Sequence, residues 1–209
     1  MHKEIKLVSK RNDVYQIAED NKTYILKNFS NNNNYLREKE ILSILKNYGV
    51  NVPSIIKEEG NSLHLEYLEG ITFLDWYEKS EKQNKLDVTI IHELCSWLKE
   101  FYKAVFEFYD EQMVIFDVNF KNFIIVDKKI YGIDFEQVQG GNIREDAGKL
   151  SAYALTYDPV MTEWKINFRN IFIEILSKEL NIEKRLIIAE EKKQLSALEK
   201  RRKVVFKDL

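Results

Sequence analysis

The sequence predicts an α+β protein of two lobes. A small antiparallel-sheet lobe with one helix spans residues 1–69, and a mainly helical lobe with a two-stranded insert spans residues 70–209. Three observations predict this. Short runs rich in Val, Tyr and Ile fill the first part and are interrupted by a single run of helical spacing. Helical spacing dominates after Gly70. Within that helical part, "VIFDVNFKNFIIVDKKIYGIDFE", residues 114–136, is extended in character. Two prolines and seven glycines in 209 residues leave no flexible linker between the lobes, and Tyr67 to Gly70 is the hinge segment.

The elements follow in order. "DVYQIAED" and "KTYILKNF" read as strands joined by a turn at "DNK". The polar "SNNNN" precedes a helix, with Asn33 or Asn34 as its cap. That helix, "YLREKEILSILKNYG", carries Leu36, Ile41, Leu42, Ile44 and Leu45 at helical spacing and ends near Gly49. "VNVPSIIKEEGNSLHLEYLEG" gives two more strands around "EEGN". Residues 71–109 are helical with a polar break at "EKSEKQNKLD", and "TIIHELCSWLKEFYKAVFEFY" is strongly amphipathic. The 114–136 stretch supplies two short strands around "DKK", and helical periodicity returns from about residue 144.

Composition excludes several classes. Hydrophobic content of 44% with 32% charged residues is that of a folded globular chain. A formal charge of −2 argues against a nucleic-acid-coating protein. The locally basic "EKKQLSALEKRRKVVFKDL" reads as a solvated helix face, with contact to an anionic partner as the lesser alternative. Cys95, alone, excludes an internal disulfide framework and reads as a buried thiol. No apolar run reaches about 18 residues and the N-terminus carries no secretory pattern, so a cytoplasmic protein without membrane partners is expected. His2, His64 and His92 are scattered, without acidic or cysteine neighbours. Trp76, Trp97 and Trp164 read as packing residues.

Four polar positions, Lys27, Glu38, Asp117 and Asp134, stand where a fold would otherwise place apolar side chains. Lys27 lies in the strand "YILKNF" on the face of Ile25, and Glu38 shares a helix face with Ile41, Leu42 and Leu45. A lysine and a glutamate directed at one core are best explained as a pair. Asp117 follows "MVIF", Asn122 lies five residues on, and Asp134 follows "IYGI". Asp117, Asn122 and Asp134 are oxygen donors of the kind that Mg2+ accepts. Lysine plus helix glutamate, then D-x-x-x-x-N, then D-F-x after a hairpin, is a parts list for phosphoryl transfer from ATP. Asp117 is then the base for the acceptor hydroxyl. Singly, each residue also reads as a surface lysine, a turn aspartate or a turn asparagine. The ordered set favours chemistry. Glu40 competes with Glu38 but faces a more polar stripe. Asp146 in "REDAGKL" reads as a structural cap.

These motifs resemble the aminoglycoside phosphotransferase and choline kinase superfamily, over about residues 9–157. "SKRNDVYQIAEDNKTYILKNF" is similar to its first strands, "REKEILSILKNYGVNVPSII" to its lobe-spanning helix and next strand, and "LHLEYLEGITFLDW" to its hinge. "FDVNFKNFIIVDKKIYGIDFE" resembles its catalytic and metal loops, and "GGNIREDAGKL" the segment closing them. The resemblance implies a protein-kinase-like fold in compact form. It further implies ATP between the lobes, with adenine on the backbone near Glu66 and Leu68 and phosphates held by Lys27 and Glu38. Asp117 would be the catalytic base, Asn122 and Asp134 the Mg2+ ligands. Two departures are plain. Ile115 and Phe116 replace the family's His-Gly, and the phosphate loop "SKRND" lacks glycine, so Lys10, Arg11 and Asn12 are expected to reach phosphate with side chains. Glu136 completes an "IDFE" form found in the family's small-molecule kinases.

The expected activity is transfer of the γ-phosphate of ATP to the hydroxyl of a small molecule. Two alternatives stay open: a compact protein kinase similar to those of the KEOPS complex or the RIO group, and a nucleotide-binding pseudokinase. The acceptor region is short, and Asp158, Glu163 and Trp164 compete between lining it and forming a plain loop into a helix.

Overall fold

A computed structural model describes residues 3–20, 22–203 and Phe206. His2 and the end of the basic tail lie outside the described residues. The first lobe is a five-stranded antiparallel sheet of β1 (Lys3–Leu7), β2 (Asp13–Glu19), β3 (Lys22–Asn28), β4 (Ile55–Glu59) and β5 (Ser62–Glu66), in the order β1-β2-β3-β5-β4. β1 is an addition to the expected strands. It is an almost wholly exposed edge strand with lysines at both ends of Glu-Ile, so it lacks the apolar run that marks a strand in sequence.

The helix α1 (Asn32–Asn47) joins β3 to β4 and buries Glu38, Ile41, Leu42 and Leu45. Its cap is Asn31, not Asn33 or Asn34. The Asn31 side chain accepts from the backbone N–H groups of those two residues. The helix stops just before Gly49, whose φ of +76° needs no Cβ-bearing residue.

The second lobe begins with β6 (Ile71–Thr72), α2 (Phe73–Lys82) and α3 (Val88–Tyr109). The polar break is shorter than expected, because Glu78 to Lys82 continue α2, with Ser80 buried and Glu81 paired with Lys165. β7 (Met113–Val114) pairs with β10 (Gln139–Gly140), and β8 (Phe123–Val126) forms a hairpin with β9 (Lys129–Gly132), with β6 on its outer edge. The hairpin turn is Asp127-Lys128, both at positive φ, the geometry of a two-residue loop. Three helices close the lobe: α4 (Ile143–Thr156), α5 (Glu163–Leu180) and α6 (Lys184–Arg202).

One continuous apolar core runs through both lobes, from Ile41, Leu45 and Leu63 to Leu94, Trp97, Phe101, Phe135 and Phe168. Cys95 is buried within it. The carbonyl of Asn51 fastens the lobes together, accepting from the Trp97 indole at 2.8 Å and the Gly132 amide at 3.1 Å. A Cβ at Gly132 would lie 2.2 Å from the Trp97 ring, so only glycine permits that approach. Gly70 likewise lies against β8, where a Cβ would meet the Ile125 carbonyl oxygen at 2.3 Å. Among the described residues no helix is long and apolar enough to cross a membrane.

Candidate active site

The buried lysine comes first because it decides the rest. Period-2 alternation on β3 turns Lys27 into the space between sheet and α1. There its Nζ lies 3.3 Å from Glu38 Oε1 and donates to Asp134 Oδ1 at 2.7 Å, with Glu136 Oε2 3.8 Å away. Burial pulls the Lys27 ammonium down, but Glu38, Asp134 and Glu136 outweigh it and hold its pKa above the usual value. Burial pushes the Glu38 carboxyl up from 4.5 to about 7 against the attraction of Lys27, with Asp134 adding repulsion. Glu38 Oε2 also accepts the Phe135 N–H at 2.6 Å, so α1 positions the backbone beside Asp134. Glu40 stays exposed and pairs with Arg37 at 3.0 Å.

Asp117 and Asn122 lie on the loop between β7 and β8. The loop is held from beneath by Phe120, whose ring contacts Phe73, Tyr77 and Phe168. Asn122 ends a 3-10 turn, is buried, and donates from Nδ2 to the Asp117 carbonyl at 3.3 Å. Its own carbonyl accepts the Ile133 N–H at 2.9 Å, which brings Asn122 beside the backbone of Asp134. The Asp117 N–H donates to the Ile115 carbonyl at 2.9 Å across Phe116, whose φ is +65°. This is the strained form of the γ-turn, and it occurs where the resembled family carries glycine.

The loop is braced from α4. Asp146 is fully buried and accepts the Ile115 N–H at 2.7 Å, the Phe116 N–H at 3.1 Å and the Tyr102 hydroxyl at 3.0 Å. Burial raises its pKa from 3.8 to about 6 against the pull of these donors and of Lys149. One turn on, Lys149 Nζ donates to the Phe116 carbonyl at 2.6 Å and sits over the Phe116 ring. Further along, the Tyr157 hydroxyl accepts the Phe120 N–H at 3.2 Å. Asp146 is therefore structural, as expected, but what it holds is the loop bearing Asp117 rather than the end of its own helix. That cap is Asn142.

The glycine-free loop between β1 and β2 reaches over this edge. Arg11 Nη1 donates to Asp117 Oδ2 at 2.9 Å and lies 3.5 Å from Glu136 Oε1. Asn12 Nδ2 donates to Glu136 Oε2 at 2.5 Å. Glu136 is buried and gathers Arg11, Asn12 and Lys27. Asp117 and Asp134 keep 48% and 46% of their side-chain surface, so both remain open to a ligand. At the back of the cleft, the Glu66 N–H donates to the Ser54 carbonyl at 2.9 Å and the Glu66 side chain accepts from Ser54, while Leu68 is half-buried.

Solved structures share this architecture. Amicoumacin kinase hAmiN, in complex with AMP-PNP, Ca2+ and Ami, matches with a TM-score of 0.63 at 15% identity, over 85% of this chain and 72% of that one. WaaP in complex with acyl carrier protein gives 0.64 at 13% identity, over 96% and 87%. A Plasmodium vivax ethanolamine kinase gives 0.57 at 12% identity, over 92% and 77%. The fold is kinase-like. The resemblance to the aminoglycoside phosphotransferase and choline kinase superfamily, read from the motifs, holds at the level of fold. No family model matches the sequence, and no curated protein matches it.

The kinase-like fold brings Arg11, Asn12, Lys27, Glu38, Asp117, Asn122 and Asp134 to one cleft edge, and leaves Glu66 at the end of β5 and Leu68 in the segment that follows it. Asp158, Glu163 and Trp164 do not join them. Trp164 stacks on Phe168 and meets Tyr77 edge-on, so this segment packs α5 against α2. Lys149 and Tyr157 were missed. Their only sequence signal is spacing from Asp146 along α4, three and eleven residues on, which places them on one face.

Proposed function

We propose that the protein is a metal-dependent phosphotransferase that moves the γ-phosphate of ATP to the hydroxyl of a small molecule. The observation that carries this is the convergence of Lys27, Glu38 and Asp134 within 3.3 Å, beside a loop that presents an exposed Asp117. Lys27, fixed by Glu38, holds the α- and β-phosphates. Adenine would hydrogen-bond to the backbone near Glu66 and Leu68. Arg11 and Asn12 exchange their carboxylate partners for phosphate oxygens. Asp117 orients the acceptor hydroxyl and takes its proton as the new O–P bond forms and ADP leaves.

The donor set fits a hard cation. Two cations, Lys27 and Arg11, face four carboxylates, Glu38, Asp117, Asp134 and Glu136, and only oxygen donors line the edge. Asp134 and Asn122 would hold Mg2+, as oxygen donors of the kind that a hard cation takes. When bound, the metal would offset phosphate charge.

The Arg11–Asp117 pair favours one second reading, a nucleotide-binding protein without transfer, because the carboxylate that would act as base is already paired with a guanidinium. Radiolabel transfer from γ-labelled ATP to a panel of hydroxyl compounds separates the two. Asp117→Asn should lower transfer at least about a thousandfold while ATP still binds, consistent with loss of a base and of orientation together. Equal transfer by the variant would remove Asp117 from the chemistry, and no transfer by wild type to any acceptor would favour the second reading.

A further inference from the structure

Helices α4 and α6 enclose a small cavity between them. Lys149, Tyr153, Gln194, Ala197, Leu198 and Arg201 line it, with a volume of about 130 Å3. It adjoins the loop bearing Asp117, because Lys149 also donates to the carbonyl of Phe116, the residue before Asp117. This volume suits one small polar group rather than a whole ligand, for which pockets run from about 300 Å3 upward.

The walls are fixed before any ligand arrives. Gly148 lets α6 approach so closely that a Cβ there would lie 2.5 Å from the Glu190 Cβ. A buried network of Ser151, Arg169 and Glu191 ties α4, α5 and α6 together, with Arg169 Nε 2.7 Å from Glu191 Oε2. Arg202 donates to the Thr156 carbonyl at 2.8 Å, and Phe206 is buried against Ala152 and Leu198, so the basic end of α6 is anchored. No carboxylate lines the cavity. Asp146, the acidic group facing Lys149, already accepts three hydrogen bonds from the catalytic loop and Tyr102. Lys149 uses one of its three donors on Phe116, and Arg201 is exposed at the mouth.

We infer that this cavity is an anion subsite, and that the acceptor is a hydroxyl compound carrying a phosphate group held by Lys149 and Arg201. Tyr153 and Gln194 supply neutral hydrogen bonds. A cationic amine would meet two like charges there and be rejected. The inference rests on the phosphotransferase reading for the hydroxyl but not for the phosphate, and its test is binding without nucleotide.

Titration calorimetry in physiological salt would compare glycerol 3-phosphate, glycerol and choline on wild type and on Arg201→Glu, with Mg2+-ATP titrated separately. Wild type should bind glycerol 3-phosphate and neither of the others. Arg201→Glu should weaken that binding about tenfold or more, as for loss of a charged hydrogen bond, with the ATP titration unchanged. Binding of glycerol 3-phosphate unaltered by Arg201→Glu, a preference for choline or glycerol, or no binding of glycerol 3-phosphate would overturn the subsite. Loss of ATP binding alone would overturn the nucleotide reading and leave the subsite standing.

Discussion

Asp146 illustrates how one buried carboxylate can decide the geometry of a site it does not enter. Its two oxygens take the N–H groups of Ile115 and Phe116 and the hydroxyl of Tyr102. Those contacts hold Phe116 at φ +65°, a conformation that costs about 1–2 kcal/mol for a residue with a Cβ. Asp146→Ala would leave buried donors without partners, each costing about 1–3 kcal/mol. We expect a loss of about 3 kcal/mol or more, measured as a lowered denaturant midpoint at unchanged slope. A loss below about 1 kcal/mol would mean that the loop is held elsewhere.

Glu38 makes a pH-dependent contribution whose sign can be worked out. Its folded pKa lies near 7, above the ordinary 4.5, so between these values the folded state binds more protons than the unfolded one. Stability from this group therefore falls as pH rises through that window. Glu38→Gln cannot titrate, so its melting temperature should gain on wild type by a few degrees between about pH 5 and pH 8. A constant difference across that range would show that Glu38 is ionised throughout.

At the level of elements, the close pairing of α4 with α6 rests on Gly148. A Cβ there would approach the Glu190 backbone carbonyl carbon and the Glu191 nitrogen to 2.8 Å, and backbone cannot yield as a flexible side chain would. Gly148→Ala should therefore destabilise the protein by about 1–3 kcal/mol, although alanine is the better helix former. Chemical denaturation measures this directly, and a stabilised variant would mean that α6 shifts freely.

Element boundaries show what sequence can and cannot carry. Helices α1 and α3 were legible because each buries an apolar stripe of helical period, and strands β2, β3, β5, β8 and β9 because short runs of β-branched, aliphatic and aromatic residues mark them. β1 was not, since an edge strand exposed on both faces needs no such stripe. The two-residue strands β6, β7 and β10 were too short to show a period, and they exist because their partners lie across the fold. The site was legible for a related reason: Lys27 and Glu38 break apolar stripes, and a broken stripe is visible in one dimension. Lys149 and Tyr157 break nothing, and their importance emerges only when α4 packs beneath the loop.

For the molecule as a whole, two lobes share one core, and the cleft edge carries more negative than positive charge. Arg11 bridges the sheet lobe and the helical lobe by its contact with Asp117, but both side chains are about half exposed, so this link adds little to stability. Its effect lies in which ligands the closed edge admits. On the proposed function, the excess of carboxylates would favour entry of nucleotide phosphates together with a divalent cation, because alone they would meet like charge.

The measurement that tests this most directly is a thermal-shift titration with ATP, with and without Mg2+, on wild type and on Asp134→Asn. Wild type should rise with ATP only when Mg2+ is present, and the variant should lose that rise while keeping its unliganded fold. An equal Mg2+-dependent rise in the variant, or none in wild type, would contradict a nucleotide–metal site built on Lys27, Glu38 and Asp134.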